Sequence, residues 1–231
     1  MSFPNFPNKY DNESVMRPEH TLEVRRQFGR FPKIQPPESL IFCFRNGLPH
    51  RMRWKIPVRH VGRMMGDFNL VRRTQGRVAV LSDFGIGAPV LASLAEEIIA
   101  FGVKRLVVLS WGGALQSDLK VGDVVVCERA IRDEGVSHHY LPAQKYVYAD
   151  ADLTKLIKES LDGQDVICAV GSTWTTDAPY RETIAEVRQY QSEGVQTVEM
   201  ETAALFAIGA ARGVPTASVV IASDSLASLK W

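Results

Sequence analysis

Short runs of Val, Ile and Leu alternate with helical segments along most of the chain, and this alternation constrains the fold more than any other feature. Each run is a compact apolar stretch bounded by Gly, Asp or Pro, which is typical of a buried strand. The predicted strands are Ser39–Phe44, Arg77–Ser82, Arg105–Ser110, Asp123–Cys127, Asp165–Val170 and Thr216–Ser223. Buried strands separated by helices predict an α/β domain with a central mixed, largely parallel β-sheet flanked by helices.

Four segments between these strands have helical patterns. Gly102 provides a C-cap for the first of them, and Gly213 with Pro215 ends the last. The last helix is almost wholly apolar after its opening acid, so we expect it to be buried. The four predicted helices are Ala88–Phe101, Ala151–Leu161, Glu182–Glu193 and Glu201–Arg212.

The first 38 residues differ from the rest because six prolines fall there among polar residues with little periodicity. This composition predicts an irregular N-terminal arm that packs on the body or on a neighbouring subunit, with solvated disorder as the alternative. Residues 39–231 carry no internal repeat or composition shift, so we expect them to form one α/β domain.

Composition excludes several classes of protein. The chain has 27 Lys and Arg against 26 Asp and Glu, so it lacks the positive excess of a nucleic-acid-coating protein. No apolar stretch approaches the roughly 20 residues that a membrane span requires. The start of the chain has no basic and apolar signal pattern, and the three distant cysteines fit no disulfide framework or metal site. These features predict a cytoplasmic protein that binds no nucleic acid, membrane or metal.

Ligands of open α/β sheets bind beyond the carboxyl ends of the strands. Three such ends are rich in glycine, including the loop Asp83–Gly87, where Gly85 could approach an anion closely. The signal is weak by itself, because glycine also serves simple chain reversal. The phosphate loop with its lysine and the dinucleotide GxGxxG motif are both missing.

Acidic residues near two predicted strand ends are more informative. Glu199 and Glu201 flank Met200 where a strand leads into the apolar helix, and Asp224 follows the last strand. Each acid has a structural interpretation as a helix cap. In the functional interpretation, charge beside a core is used in a site, and burial lets Asp224 donate a proton.

Four segments together resemble the nucleoside phosphorylase and nucleosidase superfamily, which includes purine nucleoside phosphorylase, uridine phosphorylase and methylthioadenosine nucleosidase. The strongest segment is VEMETAALFAIGAARGVPTASVVIASD, in which a VEME element precedes a Ser-Asp pair. The four segments, in family order, are Phe84–Pro89, Gly113–Val126, Thr175–Thr183 and Val198–Asp224.

The resemblance implies roles for individual residues. Glu201 would bind the ribose hydroxyls, Met200 would pack against the sugar, and Glu199 would line the same pocket. Asp224 matches the acid that protonates the leaving base in purine-cleaving members, so a purine-type base is favoured. For the flat base slot, Trp174, Tyr180 and Phe84 are candidates together with Ser223, although each aromatic is more simply a core residue.

The phosphate site departs from the family pattern. Phosphorolytic members carry an Arg and a Ser or Thr at positions that Val108 and Trp111 occupy here. A phosphate site could be rebuilt from other candidates, which are Arg45, Arg63, Ser110 and Gly85. If it is absent, water is the nucleophile, and Asp83 is the nearest substitute for the general base of a nucleosidase.

The resemblance therefore predicts an enzyme that cleaves nucleosides, with phosphorolysis ahead of two alternatives: a nucleosidase that uses water, and a nucleoside-binding protein with little catalysis. It implies phosphate as co-substrate, no cofactor, and a homodimer or hexamer with shared active sites, for which the arm and Arg63 are candidate contributors. Family members continue past the Ser-Asp pair with a helix, whereas this chain ends seven residues after Asp224. That difference predicts either a missing C-terminal segment or a more open pocket.

Overall fold

The hydrogen-bonded strand pairs form one mixed ten-stranded sheet, part of which closes on itself. The computed structural model describes residue 6 and residues 9–29, 31–44 and 55–229. Its strands are β1 (Ser39–Cys43), β2 (Val58–Met64), β3 (Gly66–Val71), β4 (Val78–Ser82), β5 (Arg105–Ala114), β6 (Val124–Asp133), β7 (Tyr146–Tyr148), β8 (Cys168–Thr176), β9 (Thr197–Glu199) and β10 (Thr216–Ser225). Its α-helices are α1 (Pro18–Gln27), α2 (Ala88–Phe101), α3 (Ala151–Asp162), α4 (Ile184–Ser192) and α5 (Thr202–Arg212).

Strand β5 organises the sheet because it pairs with three others. It runs parallel to β1 and β10 and antiparallel to the short β9. The pairs β5–β10, β10–β6, β6–β8, β8–β9 and β9–β5 close a five-stranded barrel, and β1, β4, β3 and β2 continue outward from β5. The predicted mixed α/β architecture is confirmed, and its parallel pairs include both β1 and β10 on β5.

The helices begin and end where the sequence provides caps. Gly102 ends α2 with a φ of 113°, a left-handed conformation that glycine adopts without penalty. Thr183 and Glu186 form a reciprocal capping box at the start of α4. Helix α5 is buried from Thr202 to Gly209, which confirms the expectation from its apolar sequence.

Two elements differ from the sequence-based expectations. The proline-rich arm is helical over Pro18–Gln27 rather than wholly irregular, with Leu22 buried in the main core and Arg25 paired with Glu97 of α2 at 2.9 Å. The hairpin β2–β3 was not predicted as two strands, because exposed and buried residues do not alternate regularly along β2. Pro18 accounts for the helix start, because proline is compatible with the first helical turn.

The main core lies between the β1–β4–β5 part of the sheet and helices α1, α2 and α5. A second cluster fills the space between α5 and the barrel strands, and a third lies under α4 around Trp174. None of the described helices combines the length and apolar character that crossing a membrane requires. The packed helices leave the carboxyl end of β5 as the meeting point of β9, β10 and the loop before α2.

Candidate active site

Glu199 is held in the core by the start of helix α5. Its Oε2 accepts hydrogen bonds from the backbone N–H groups of Glu201 at 2.8 Å and Thr202 at 2.7 Å. Its Oε1 accepts from the Thr175 hydroxyl at 2.6 Å, and that hydroxyl oxygen accepts from Ala203 N–H at 2.9 Å. Three N–H groups that a helix start leaves without partners are thereby satisfied. Glu199 therefore acts as a cap, the structural alternative that the sequence left open.

Glu201 joins the start of α5 to two other elements. Its Oε1 accepts from Gly87 N–H at 2.7 Å, at the beginning of α2, and its Oε2 accepts from the Ser110 hydroxyl at 3.2 Å, on β5. The side chain is 3% exposed. Burial, and then the nearby charge of Glu199, raise the pKa of Glu201 to about 7. The arrangement holds a carboxylate whose remaining lone pairs can accept further hydrogen bonds.

Asp224 lies at the same end of β5. It pairs with Gly113 in the β10–β5 register, and its Oδ2 lies 3.3 Å from the position that a Cβ on Gly113 would take. Its Oδ1 accepts from the Ser223 hydroxyl at 2.6 Å. The register shifts between Ala222 and Asp224, so the strand is irregular where the acid projects.

Glu201 and Asp224 approach β5 at Ser110 and Gly113, three residues apart. Three residues of extended chain span about 10 Å. Side chains three apart in a strand point to opposite faces, so a ligand that touches both acids must lie across the end of β5. This is the edge of the sheet where α/β proteins bind ligands.

Glu182 belongs to the same region but was not singled out from the sequence. Burial, and then the charges of Asp224 and Glu186, raise the pKa of Glu182 to about 7. The residue stands in TTDAPYRET, one of the segments that carry the family resemblance. Membership of that motif could have drawn attention to Glu182. The spacing of the motif does not show, however, that Glu182 lies near Asp224 on β10.

Met200 lies between the two glutamates and is half-buried, whereas both of its neighbours are buried. It is therefore the member of the VEME element with apolar surface near the site. Gly85 is exposed in the loop before α2 with a φ of 98°. Phe84 is 7% exposed and packs edge-to-face on Phe42 and Phe44, so it belongs to the core.

The remaining base-slot candidates do not form a slot. Trp174 is 1% exposed, and its indole N–H donates to Asp133 at 2.9 Å within the core under α4. Its packing there leaves no ring face for a base. Tyr180 is fully exposed, because it lies in a short turn that projects from the protein surface. Ser223 is exposed and bonds to Asp224 and to the carbonyl oxygen of Gly112, so it lies beside the predicted acid.

The phosphate candidates are dispersed. Arg45 lies outside the described residues. Arg63 is on β2, with its guanidinium 3.4 Å from Asp67 and 68% exposed. Ser110 is 3% exposed and directs its hydroxyl to Glu201, so it is not aimed at an external anion. Val108 is fully buried in the main core, as its apolar side chain requires.

Comparison with known proteins agrees with this arrangement. The phosphorylase superfamily model matches residues 48–230. Purine nucleoside phosphorylases of the DeoD type from Bacillus cytotoxicus and Bacillus cereus are each 32% identical over 156 residues. The alignment spans 66% of this chain and 66% of each relative, slightly less than two thirds of the relatives' length.

A solved structure gives the same result for the fold. The uridine phosphorylase of Vibrio fischeri superposes with a TM-score of 0.74 and is 25% identical, covering 85% of this chain and 82% of that protein. One set of relatives is named for purine nucleosides and the structural neighbour for uridine, so the comparisons leave the base open. The family match covers far more than half of the chain and includes Glu199, Glu201 and Asp224, and the protein therefore belongs to the phosphorylase superfamily.

Proposed function

We propose that the protein cleaves the N-glycosidic bond of nucleosides by phosphorolysis, releasing a free base and ribose 1-phosphate, with a purine-type base favoured. The observation that carries the proposal is the approach of Glu201 and Asp224 to the carboxyl-terminal half of β5, at Ser110 and Gly113. An acid for the sugar and an acid for the base are the two groups that this reaction needs. The names of the relatives support phosphorolysis.

Glu201 would act on the sugar. Breaking the glycosidic bond develops positive charge on the pentose, which a fixed carboxylate stabilises. A carboxylate has about four lone-pair sites, and the bonds from Gly87 and Ser110 do not use all of them. The remaining acceptor capacity would serve the vicinal hydroxyls of a ribose, while the Met200 side chain offers an apolar surface beside it.

Asp224 would act on the base. The departing base gains negative charge, and a proton delivered to it in the transition state accelerates cleavage on the order of 10²–10⁴-fold. The Ser223 hydroxyl fixes one carboxyl oxygen, and the other packs closely against Gly113, where a side chain would crowd it. An acid in this position favours a purine, whose ring nitrogen can accept the proton.

Phosphate would be bound by groups other than Ser110, whose hydroxyl is committed to Glu201. The exposed glycine loop at Gly85 supplies backbone N–H groups, and Arg63 supplies an exposed charge in a weak surface ion pair with Asp67. Arg63 lies on β2 at the edge of the sheet, far along the strand order from β10. We therefore propose that Arg63 serves the site of a neighbouring subunit, in a homodimer or hexamer with shared active sites.

Hydrolysis is the alternative that one observation favours. Val108 is buried and apolar where phosphorolytic relatives are expected to carry an arginine. Water would then attack the sugar, with Asp83, whose φ is 59° in the glycine loop, as the nearest base. A protein that binds nucleosides with little turnover would share this site.

One assay separates the three functions. The protein is incubated with inosine, adenosine, uridine and methylthioadenosine, with and without phosphate, and free base is measured. We expect release from the purine nucleosides only when phosphate is present. Release without phosphate would establish a nucleosidase, and binding without release in either condition would establish a binding protein.

A further inference from the structure

The hydroxyl of Ser110 contacts acceptor groups of the protein itself. Ser110 is 3% exposed, near the middle of β5. Its Oγ lies 3.2 Å from Glu201 Oε2 and 3.3 Å from the backbone carbonyl oxygen of Trp111. Both are acceptors within the chain, and a serine hydroxyl has one proton to donate.

The carboxylate is the stronger of the two acceptors because its bond is charge-assisted. Gly87 N–H holds the other oxygen of the same carboxylate at 2.7 Å, from a different element. Two donors on two elements therefore fix the rotation of the carboxylate plane, which neither would fix alone. Within the described ranges no Lys or Arg forms an ion pair with Glu201, so these neutral donors are its support.

We infer that Ser110 is a positioning residue, whose hydroxyl orients the Glu201 carboxylate toward the vicinal hydroxyls of a ribose and so favours ribonucleosides over 2′-deoxyribonucleosides. The inference rests on the proposed function. A substrate with both hydroxyls gains two hydrogen bonds from a correctly turned carboxylate, and a 2′-deoxy substrate gains one. Loss of the orienting hydroxyl therefore harms the ribonucleoside more.

The test compares kcat/KM for inosine and 2′-deoxyinosine in the wild type, Ser110→Ala and Ser110→Thr. Ser110→Ala is expected to lower kcat/KM for inosine about tenfold or more and to lower it less for 2′-deoxyinosine, so the preference narrows. Ser110→Thr, which keeps the hydroxyl, is expected to restore part of the preference. An unchanged ratio in an active Ser110→Ala protein would overturn the inference.

Ser218→Ala is the matched control. Ser218 is also a fully buried serine on a neighbouring strand, but its hydroxyl bonds to the Thr202 hydroxyl at 2.9 Å rather than to Glu201. Removal of the Ser218 hydroxyl should destabilise the protein to a similar degree. It should leave the ratio of kcat/KM for inosine to kcat/KM for 2′-deoxyinosine unchanged. A ratio that narrowed equally in Ser218→Ala would show a general packing effect and overturn the specific role of Ser110.

A second measurement does not depend on turnover. The bond from Ser110 favours the ionised form of Glu201, whereas burial and the charge of Glu199 oppose it and raise the pKa. Ser110→Ala should therefore raise the pKa of Glu201, measured by carboxyl ¹³C NMR titration of the apoprotein, and Ser218→Ala should not. If the wild type cleaves no nucleoside, the proposed function fails together with the substrate preference. An unchanged pKa of Glu201 in Ser110→Ala would instead overturn the contact between Ser110 and Glu201.

Discussion

The carboxylate of Glu199 accepts the backbone N–H of Glu201 at 2.8 Å, so the first acid of the VEME element holds the second in place. Glu199 also accepts from Thr202 N–H and the Thr175 hydroxyl, which uses its oxygens within the protein. The Glu201 carboxylate accepts from Gly87 N–H and from the Ser110 hydroxyl, on two elements outside its own helix. Two acids separated by one residue therefore differ: Glu199 supports the start of α5, and Glu201 is the acid that we propose binds the sugar.

Replacement of Glu199 should destabilise the protein. Glu199→Ala removes the cap of α5 and leaves buried N–H groups unsatisfied, at about 1–3 kcal/mol for each buried group that loses its partner. The change is measured by urea unfolding, with Glu159→Ala on the exposed surface of α3 as the control. Unchanged stability with lost nucleoside binding would show that Glu199 contacts the ligand directly.

Replacement of Asp224 should reduce catalysis without unfolding the protein. Asp224→Asn keeps the size of the side chain but cannot donate the carboxyl proton, so purine nucleoside cleavage should slow by roughly 10²-fold or more. The initial rate of base release measures it, and Asp118→Asn at an exposed turn is the control. A wild-type rate in Asp224→Asn would exclude this residue as the acid.

Replacement of Glu201 should weaken binding of the sugar. Glu201→Gln keeps an oxygen for Gly87 N–H but presents an amide that cannot accept both ribose hydroxyls. We expect nucleoside affinity to fall on the order of tenfold or more, measured by calorimetric titration with inosine. Normal affinity in a folded Glu201→Gln protein would contradict the sugar contact.

Stability should decrease as pH rises from about 4.5 toward 7. Burial raises the pKa of Glu182, Glu199 and Glu201, so the folded state keeps protons that the unfolded chain has released in this range. The melting temperature across this pH range measures the trend. Glu182→Gln should make the trend shallower, and Glu159→Gln should not; a trend equally steep in both variants would contradict the assignment.

The buried guanidinium of Arg132 should be needed for the loop after β6. Arg132 is 6% exposed, and it donates to the Ser137 hydroxyl and to the carbonyl oxygens of Ser137, Leu141 and Pro142. Arg132→Met should cost about 3 kcal/mol or more because it leaves buried carbonyls without donors. Arg132→Lys should not restore stability, since an ammonium does not reproduce the planar fork. Urea unfolding measures both variants, and a stable Arg132→Lys protein would contradict the geometric argument.

The sequence predicted helices α2 to α5 and six of the ten described strands because their patterns are local, and it did not predict β2, β3, β7 or β9. Helix α2 has its predicted bounds, and α5 differs by one residue. Strand β8 was predicted at Asp165–Val170 but spans Cys168–Thr176, because its second half is rich in threonine and lacks the apolar run that marks a buried strand. Helix α1 was missed because its stability comes from Leu22 and Arg25 packing on α2, which is a contact between distant segments.

Sequence by itself determined the family pattern and the identity of the acids, because residue type and spacing along the chain are enough to specify them. Only the tertiary structure decided what each acid touches. Hydrogen bonds link Glu201 to Ser110, 91 residues away, and to Gly87, 114 residues away. The tertiary structure also placed Trp174 in the core and Tyr180 in solvent, although the two aromatic residues are only six positions apart in the sequence. The physical reason is that burial and hydrogen-bond partners come from strands and helices that meet only after the chain has folded.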